Sequence, residues 1–231
     1  MDLLVVIDMQ NDFITGSLKA KDGERLLKEV VKKVESFEGK VVYTLDTHYD
    51  DYLSTNEGKN LPIEHCIKGT WGHDIPEELK MTKSFEGAKK FEKNTFASVE
   101  LGEYVKKLDE EEGVGDIYFL GLVADICVVS NILLVKGFLP EKNIYLFKDL
   151  TEGLTDEKKA SALDVLESCQ VKIIWEIRKI KKIKLKSTRL LCDKHKVACF
   201  FNVSDFKLFW IEKIFVARKL KVKLKLKIII K

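Results

Sequence analysis

The sequence predicts a layered α/β fold built on a mainly parallel sheet, and three observations carry that prediction. Five short apolar runs recur at residues 3–7, 41–45, 117–120, 144–147 and 171–175. Each is near-continuous instead of alternating, and rich in β-branched and aromatic residues, which is the pattern of strands covered on both faces. Between the runs lie segments with apolar residues at helical spacing, so strand and helix alternate as crossover units do.

Taken in order, the first run, Leu3-Leu4-Val5-Val6-Ile7, ends on Asp8, with the polar group Gln10-Asn11-Asp12 just beyond. A helix over 24–37 follows, its apolar residues at 26, 27, 30, 31 and 34 forming one stripe. The strand at 41–45 runs into Asp46-Thr47-His48. Residues 47–96 contain no convincing buried strand, yet hold two of the three prolines and three of the four histidines. A connection that long in a compact domain is usually functional or disordered, and its tryptophan and histidines favour function. Helices over 99–108, 128–136 and 157–168 then alternate with the last three strands.

Composition sets the outer bounds. A chain of 231 residues with 45% hydrophobic and 33% charged residues can bury a substantial core and suffices for one domain plus an appendage. The formal charge of +3 conceals a division: residues 176–231 carry 18 Lys+Arg against 4 Asp+Glu, a net of +14, which leaves −11 for residues 1–175. All 13 glycines and all 3 prolines also precede residue 176. Five cysteines, an odd number at spacings unlike C-x-x-C, argue for a reducing compartment, with the cytoplasm as the expected location. The first apolar run is too short for a signal peptide, and no stretch approaches the ~20 apolar residues of a membrane span.

The chemistry-bearing residues gather just past strand-like runs, where open α/β sheets form their ligand crevices. Cys127 closes Gly121-Leu122-Val123-Ala124-Asp125-Ile126-Cys127 and stands at the start of the helix expected over 128–136. A buried, inert cysteine is the competing reading. At a helix start, however, the dipole and free backbone N–H groups lower a thiol pKa and can hold an oxyanion. Asp8 is either a loop cap or, beside a cysteine, a proton acceptor whose pKa burial raises and a neighbouring ammonium lowers. Lys93, in Phe91-Glu92-Lys93-Asn94-Thr95-Phe96, is the candidate ammonium. Alternation along an extended segment points Asp46 and His48 to one side, with Glu57 and His65 further along the loop. One carboxylate with two imidazoles suits Zn²⁺, Fe²⁺ or Mn²⁺ with positions left open for water or substrate, although loop histidines are common without a metal. Acid, base, thiol and candidate metal together suggest hydrolysis.

Four separated stretches resemble, in order and spacing, the isochorismatase-like cysteine hydrolases, and most closely their nicotinamidase/pyrazinamidase branch. They are Val5-Val6-Ile7-Asp8-Met9-Gln10-Asn11-Asp12-Phe13, Thr44-Leu45-Asp46-Thr47-His48, His65-Cys66-Ile67-Lys68-Gly69-Thr70 and Gly121 to Val128. The resemblance covers residues 1–175 and implies a three-layer α/β/α domain with a catalytic triad on Asp8, Lys93 and Cys127. It further implies a thioester route from a small carboxamide to the acid and ammonia, with nicotinamide foremost and pyrazinamide or another small carboxamide such as an N-carbamoyl amine as the alternatives it leaves open. The family's non-proline cis peptide maps to Leu122-Val123, with the N–H groups of Val123 and Cys127 aimed at the oxyanion. Its metal ligands map to Asp46, His48 and His65. Where a further histidine often stands this chain has Tyr52, and Glu57 is placed as a fourth ligand, the metal being zinc, or iron or manganese. Phe13 and Trp71 are the expected packing partners of the substrate ring. The reaction of isochorismatases proper needs no cysteine, so Cys127 weighs against it.

Residues 176–231 fall outside the resemblance and read as a basic C-terminal extension, an appended or misread end without its own task. A nucleic-acid or anionic-surface binder on an inactive hydrolase scaffold is the competing class, motivated by the +14 charge. No membrane partner is expected. Apolar helix faces leave a homo-oligomer open.

Overall fold

The structure, a computed structural model, describes residues 1–175. The extension expected over 176–231 lies outside the described residues. Six strands form one sheet: β1 (Leu3–Ile7), β2 (Lys40–Asp46), β3 (Lys89–Lys93), β4 (Ile117–Leu122), β5 (Ile144–Glu152) and β6 (Lys172–Ile174), in the spatial order β3-β2-β1-β4-β5-β6. All five pairings are parallel.

Period-2 alternation divides the core. Leu4 and Val6 of β1 face one side, where α2 (Gly23–Ser36) lays down Leu26, Leu27, Val30 and Val34. Leu3, Val5 and Ile7 face the other, against α5 (Val99–Glu112), α6 (Val129–Phe138) and α7 (Asp156–Ser168). β1 is therefore buried on both faces, and the three-layer α/β/α arrangement follows. The remaining helices, α1 (Asn11–Ile14), α3 (Asn56–Asn60) and α4 (Glu77–Lys80), are single turns in the loops.

The sequence reading missed one strand and misjudged one helix start. β3 lies inside the segment read as lacking a strand, because Lys89, Lys90 and Glu92 are exposed and only Phe91 and Lys93 are buried. It is an edge strand, and charge on an edge opposes pairing with other chains while erasing the apolar signal. Ahead of α6 the chain makes a turn of π-helix, Ala124–Val128, so Cys127 occupies that wider turn and not the first turn of an α-helix.

In this strand order the crossovers change direction between β1 and β4, and the crevice of such a sheet opens at that point beyond the carboxyl ends of the strands. Asp8, Asp46, Lys93 and Cys127 all lie at or just past those ends. Gly121 lets β4 come this close to β1: its φ is +121°, and a Cβ there would meet the Ile7 carbonyl oxygen at 2.0 Å.

Candidate active site

Asp8 leaves β1 with a left-handed φ of 44°, a conformation that Asp tolerates better than most residues. The turn is held by Thr44 of β2, whose carbonyl and Oγ1 both accept the Asp8 N–H at 3.2 Å. The Thr44 hydroxyl in turn donates to Asp8 Oδ1 at 2.6 Å. Lys93 ends β3 in register with Asp46 of β2. Its Nζ stands 2.7 Å from Asp8 Oδ2, 3.4 Å from Asp46 Oδ1 and 3.4 Å from Cys127 Sγ. The three donors of one ammonium thus meet two carboxylates and a thiol, all buried.

Asn131 of α6, fully buried, secures the thiol's backbone. Its Nδ2 donates to the Cys127 carbonyl at 2.7 Å and the Phe96 carbonyl at 3.0 Å, while Oδ1 accepts the Ser98 N–H at 2.9 Å. The peptide between Leu122 and Val123 is cis. The Val123 carbonyl accepts both the Ile126 and Val128 N–H groups, closing the turn that carries Cys127.

Burial dominates the electrostatics. It pushes the Asp8 carboxyl above its ordinary range, with Lys93 opposing and the Asp46 charge reinforcing. For Lys93 burial works against the charge, but Asp8, Cys127 and Asp46 outweigh it and hold the ammonium well above the usual lysine value. The Cys127 thiol is pushed well above the free-cysteine value by burial, with Lys93 opposing. This corrects the expectation of a thiol acidified by a helix start: loss of hydration outweighs the local dipoles and the single lysine.

A second cluster adjoins the first through Asp46. Ligand atoms of Asp46, His48 and His65 all lie within 4.8 Å of one another. Asp46 Oδ2 is 3.2 Å from His48 Nε2 and 3.3 Å from His65 Nε2. Glu57 Oε1 stands 3.8 Å and 3.7 Å from the same two nitrogens. Donors 2.0–2.2 Å from one tetrahedral ion sit about 3.3–3.6 Å apart, so this set fits a small divalent cation. His65 Nδ1 lies 2.8 Å from the Ile63 carbonyl. A carbonyl only accepts, so Nδ1 carries a hydrogen, which fixes the ring with Nε2 toward the cluster. Burial raises the Asp46 pKa, but Lys93 and hydrogen bonds from His48 and His65 overcome this and leave the carboxylate strongly acidic. Glu57 shifts upward through burial and the Asp46 charge.

Tyr52 turns its hydroxyl away from the cluster, donating to the Leu61 carbonyl at 2.8 Å, and its ring packs on His48 and His65 with centroids 4.6 and 5.0 Å away. Phe13 is buried edge-on against His65 at 5.7 Å. Trp71 is 63% exposed and touches this region through its carbonyl, which accepts from Asn11 Nδ2 at 2.8 Å. Sequence reasoning missed Thr44, Gln10 and Asn131. Gln10 Nε2 donates to the Asp46 and His73 carbonyls and its Oε1 accepts the Asp46 N–H, each at 2.8 Å. A threonine inside an apolar run and a glutamine two residues past Asp8 were the available signals.

A parallel, doubly wound α/β/α sheet with acid, lysine, thiol and a cation-ready cluster at its switch point has the architecture of the isochorismatase-like hydrolases. The isochorismatase domain model matches residues 2–175, and the chain belongs to that family. Among curated relatives, the nicotinamidase of Saccharomyces cerevisiae is 25% identical over 202 residues, covering 68% of this chain and 90% of the yeast protein. The nicotinamidase/pyrazinamidase of Mycobacterium tuberculosis is 26% identical over 187 residues, covering 75% and 98%. Among solved structures, the pyrazinamidase of Pyrococcus horikoshii in complex with zinc superimposes with a TM-score of 0.61 at 25% identity, covering 75% of this chain and 98% of that one.

Proposed function

We propose that this protein is a metal-assisted cysteine amidohydrolase that converts nicotinamide to nicotinate and ammonia. The observation that carries the reading is the convergence of Asp8 and Cys127 on the ammonium of Lys93, at 2.7 and 3.4 Å. The family membership supports hydrolysis of an amide C–N bond, and the names of the curated relatives support nicotinamide as the amide.

Cys127 Sγ attacks the carboxamide carbon while its proton passes to Asp8, whose raised pKa suits it to accept a proton and return it. Lys93 stays charged throughout and holds thiol and carboxylate together. The backbone N–H groups of Val123 and Cys127 take the oxyanion role. Collapse breaks the C–N bond, and ammonia leaves with the proton from Asp8. Asp8 then deprotonates a water that cleaves the thioester, releasing nicotinate and restoring the thiol.

Asp46, His48 and His65, with Glu57 as fourth ligand, would hold a divalent ion, zinc before iron or manganese. Such an ion supplies Lewis-acid contact to the pyridine nitrogen and so orients the amide. Phe13, packed on His65, offers one wall for the ring, and Trp71, whose side chain is largely exposed, is a further candidate contact. The test is ammonia release from nicotinamide, expected from the wild type and absent from Cys127→Ala. Equal release by both removes the mechanism.

A further inference from the structure

His73 has no part in the chemistry above, yet it is buried, joined directly to the segment that carries two of the proposed ligands, and joined to it again through Gln10. Thr47 lies between Asp46 and His48, and its Oγ1 is 2.9 Å from His73 Nε2. The Thr47 N–H donates to the Lys93 carbonyl at 2.7 Å, which fixes the backbone at this point to the end of β3. The His73 carbonyl accepts from Gln10 Nε2, and that same amide group brackets Asp46 by its N–H and its carbonyl, all at 2.8 Å. The ring of His73 therefore braces the segment at Thr47, whose side chain alternation turns away from those of Asp46 and His48, while its carbonyl helps hold the Gln10 amide that pairs with the Asp46 backbone.

We propose that His73 is a positioning residue for the divalent-ion site. Through the contact of its ring with Thr47 it holds the Asp46-Thr47-His48 segment in the orientation that makes Asp46 Oδ2 and His48 Nε2 converge. The inference rests on the metal reading of Asp46, His48 and His65. Outer partners that orient ligands in this way are typically worth about 10–100-fold in metal affinity.

The experiment measures Zn²⁺ affinity of the full chain by competition with a chromophoric chelator, so its readout is independent of turnover. His73→Ala should weaken zinc binding about 10-fold or more. His73→Gln, whose amide reaches the Nε2 position, should restore most of it. Thr47→Val should weaken binding as well, and the double variant should bind no worse than the weaker single one, because both act along one path. Wild-type affinity in His73→Ala, a loss in His73→Gln as large as in His73→Ala, or strictly additive losses would each overturn the proposal. Should His73→Ala fail to fold, Thr47→Val carries the same expectation, and unchanged zinc binding there overturns it. A wild-type chain that binds no zinc removes the metal reading and this proposal together, whereas zinc-binding variants indistinguishable from wild type remove only the proposal.

Discussion

At the scale of single residues, Lys93 is the group on which the others depend. Its ammonium faces two buried carboxylates, at 2.7 Å for Asp8 and 3.4 Å for Asp46. Removing it leaves both without that partner, while removing Asp8 leaves Lys93 still paired. Lys93→Met is therefore expected to cost about 3–5 kcal/mol in urea unfolding, as loss of one partner of a buried pair does. Asp8→Asn should cost distinctly less stability but reduce kcat/KM about 10²–10⁴-fold, the usual worth of a positioned acid–base group. Equal destabilisation by the two variants contradicts this assignment. The pH profile follows from the same carboxyl. Burial raises its pKa above the ordinary 3.8, and only the unprotonated form can accept the thiol proton. Activity should therefore decline as pH falls through that raised value, placing the acid limb above the ordinary carboxylate range. An acid limb at or below 3.8 would mean that burial does not govern Asp8. Asp8 and Asp46 were legible in the sequence because each directly follows a strand-like run, whereas Lys93 stands on a strand with no apolar signature. Thr44 was not legible, because its partner lies 36 residues away, nor was Asn131, whose reach to Ser98 and Phe96, 33 and 35 residues away, no local pattern marks.

At the scale of elements, legibility tracked burial. β1 was readable to the residue, since both its faces are covered and every position is apolar. β3 was hidden, although it delivers Lys93, because an edge strand with one covered face and charged outward positions loses the continuous apolar signature. The turn after β4 was misjudged for a different reason. Apolar periodicity near 128 does not distinguish a helix start from a π turn, and the distinction decides where Cys127 points. Just before that turn, β4 passes close to β1 at Gly121. A side chain there needs both a left-handed φ and space that the Ile7 carbonyl occupies. Gly121→Ala is expected to destabilise the fold by about 2–6 kcal/mol, combining backbone strain with overpacking. Any folded fraction should lose turnover disproportionately, since Ile7 and Gly121 directly precede the segments that hold Asp8 and Cys127. A variant with normal unfolding midpoint and normal kcat would show that the two strands have slack here.

At the scale of the whole molecule, charge divides the sequence at residue 175. The acidic residues 1–175, at −11, are the described residues, and each residue assigned a chemical role lies among them. The family match also spans 2–175, and the curated relatives are covered over 90% and 98% of their own lengths by alignments to this chain. A task for residues 176–231 in the amide reaction is therefore unnecessary on chemical grounds. Ending the chain after Trp175 is expected to leave kcat and KM for nicotinamide unchanged, because every group that binds, orients or transfers a proton is retained. The same truncation separates the competing class. If the +14 segment serves an anionic polymer, the full chain will bind a DNA duplex with an affinity that falls steeply with salt, and the truncated chain will not. Ammonia release retained and salt-dependent binding absent in both forms assigns the chain's activity to residues 1–175 alone. Ammonia release lost on truncation, with the shortened chain folded, would mean that the basic segment supplies a group the reaction needs, and the assignment of the site to the strand ends would have to be enlarged.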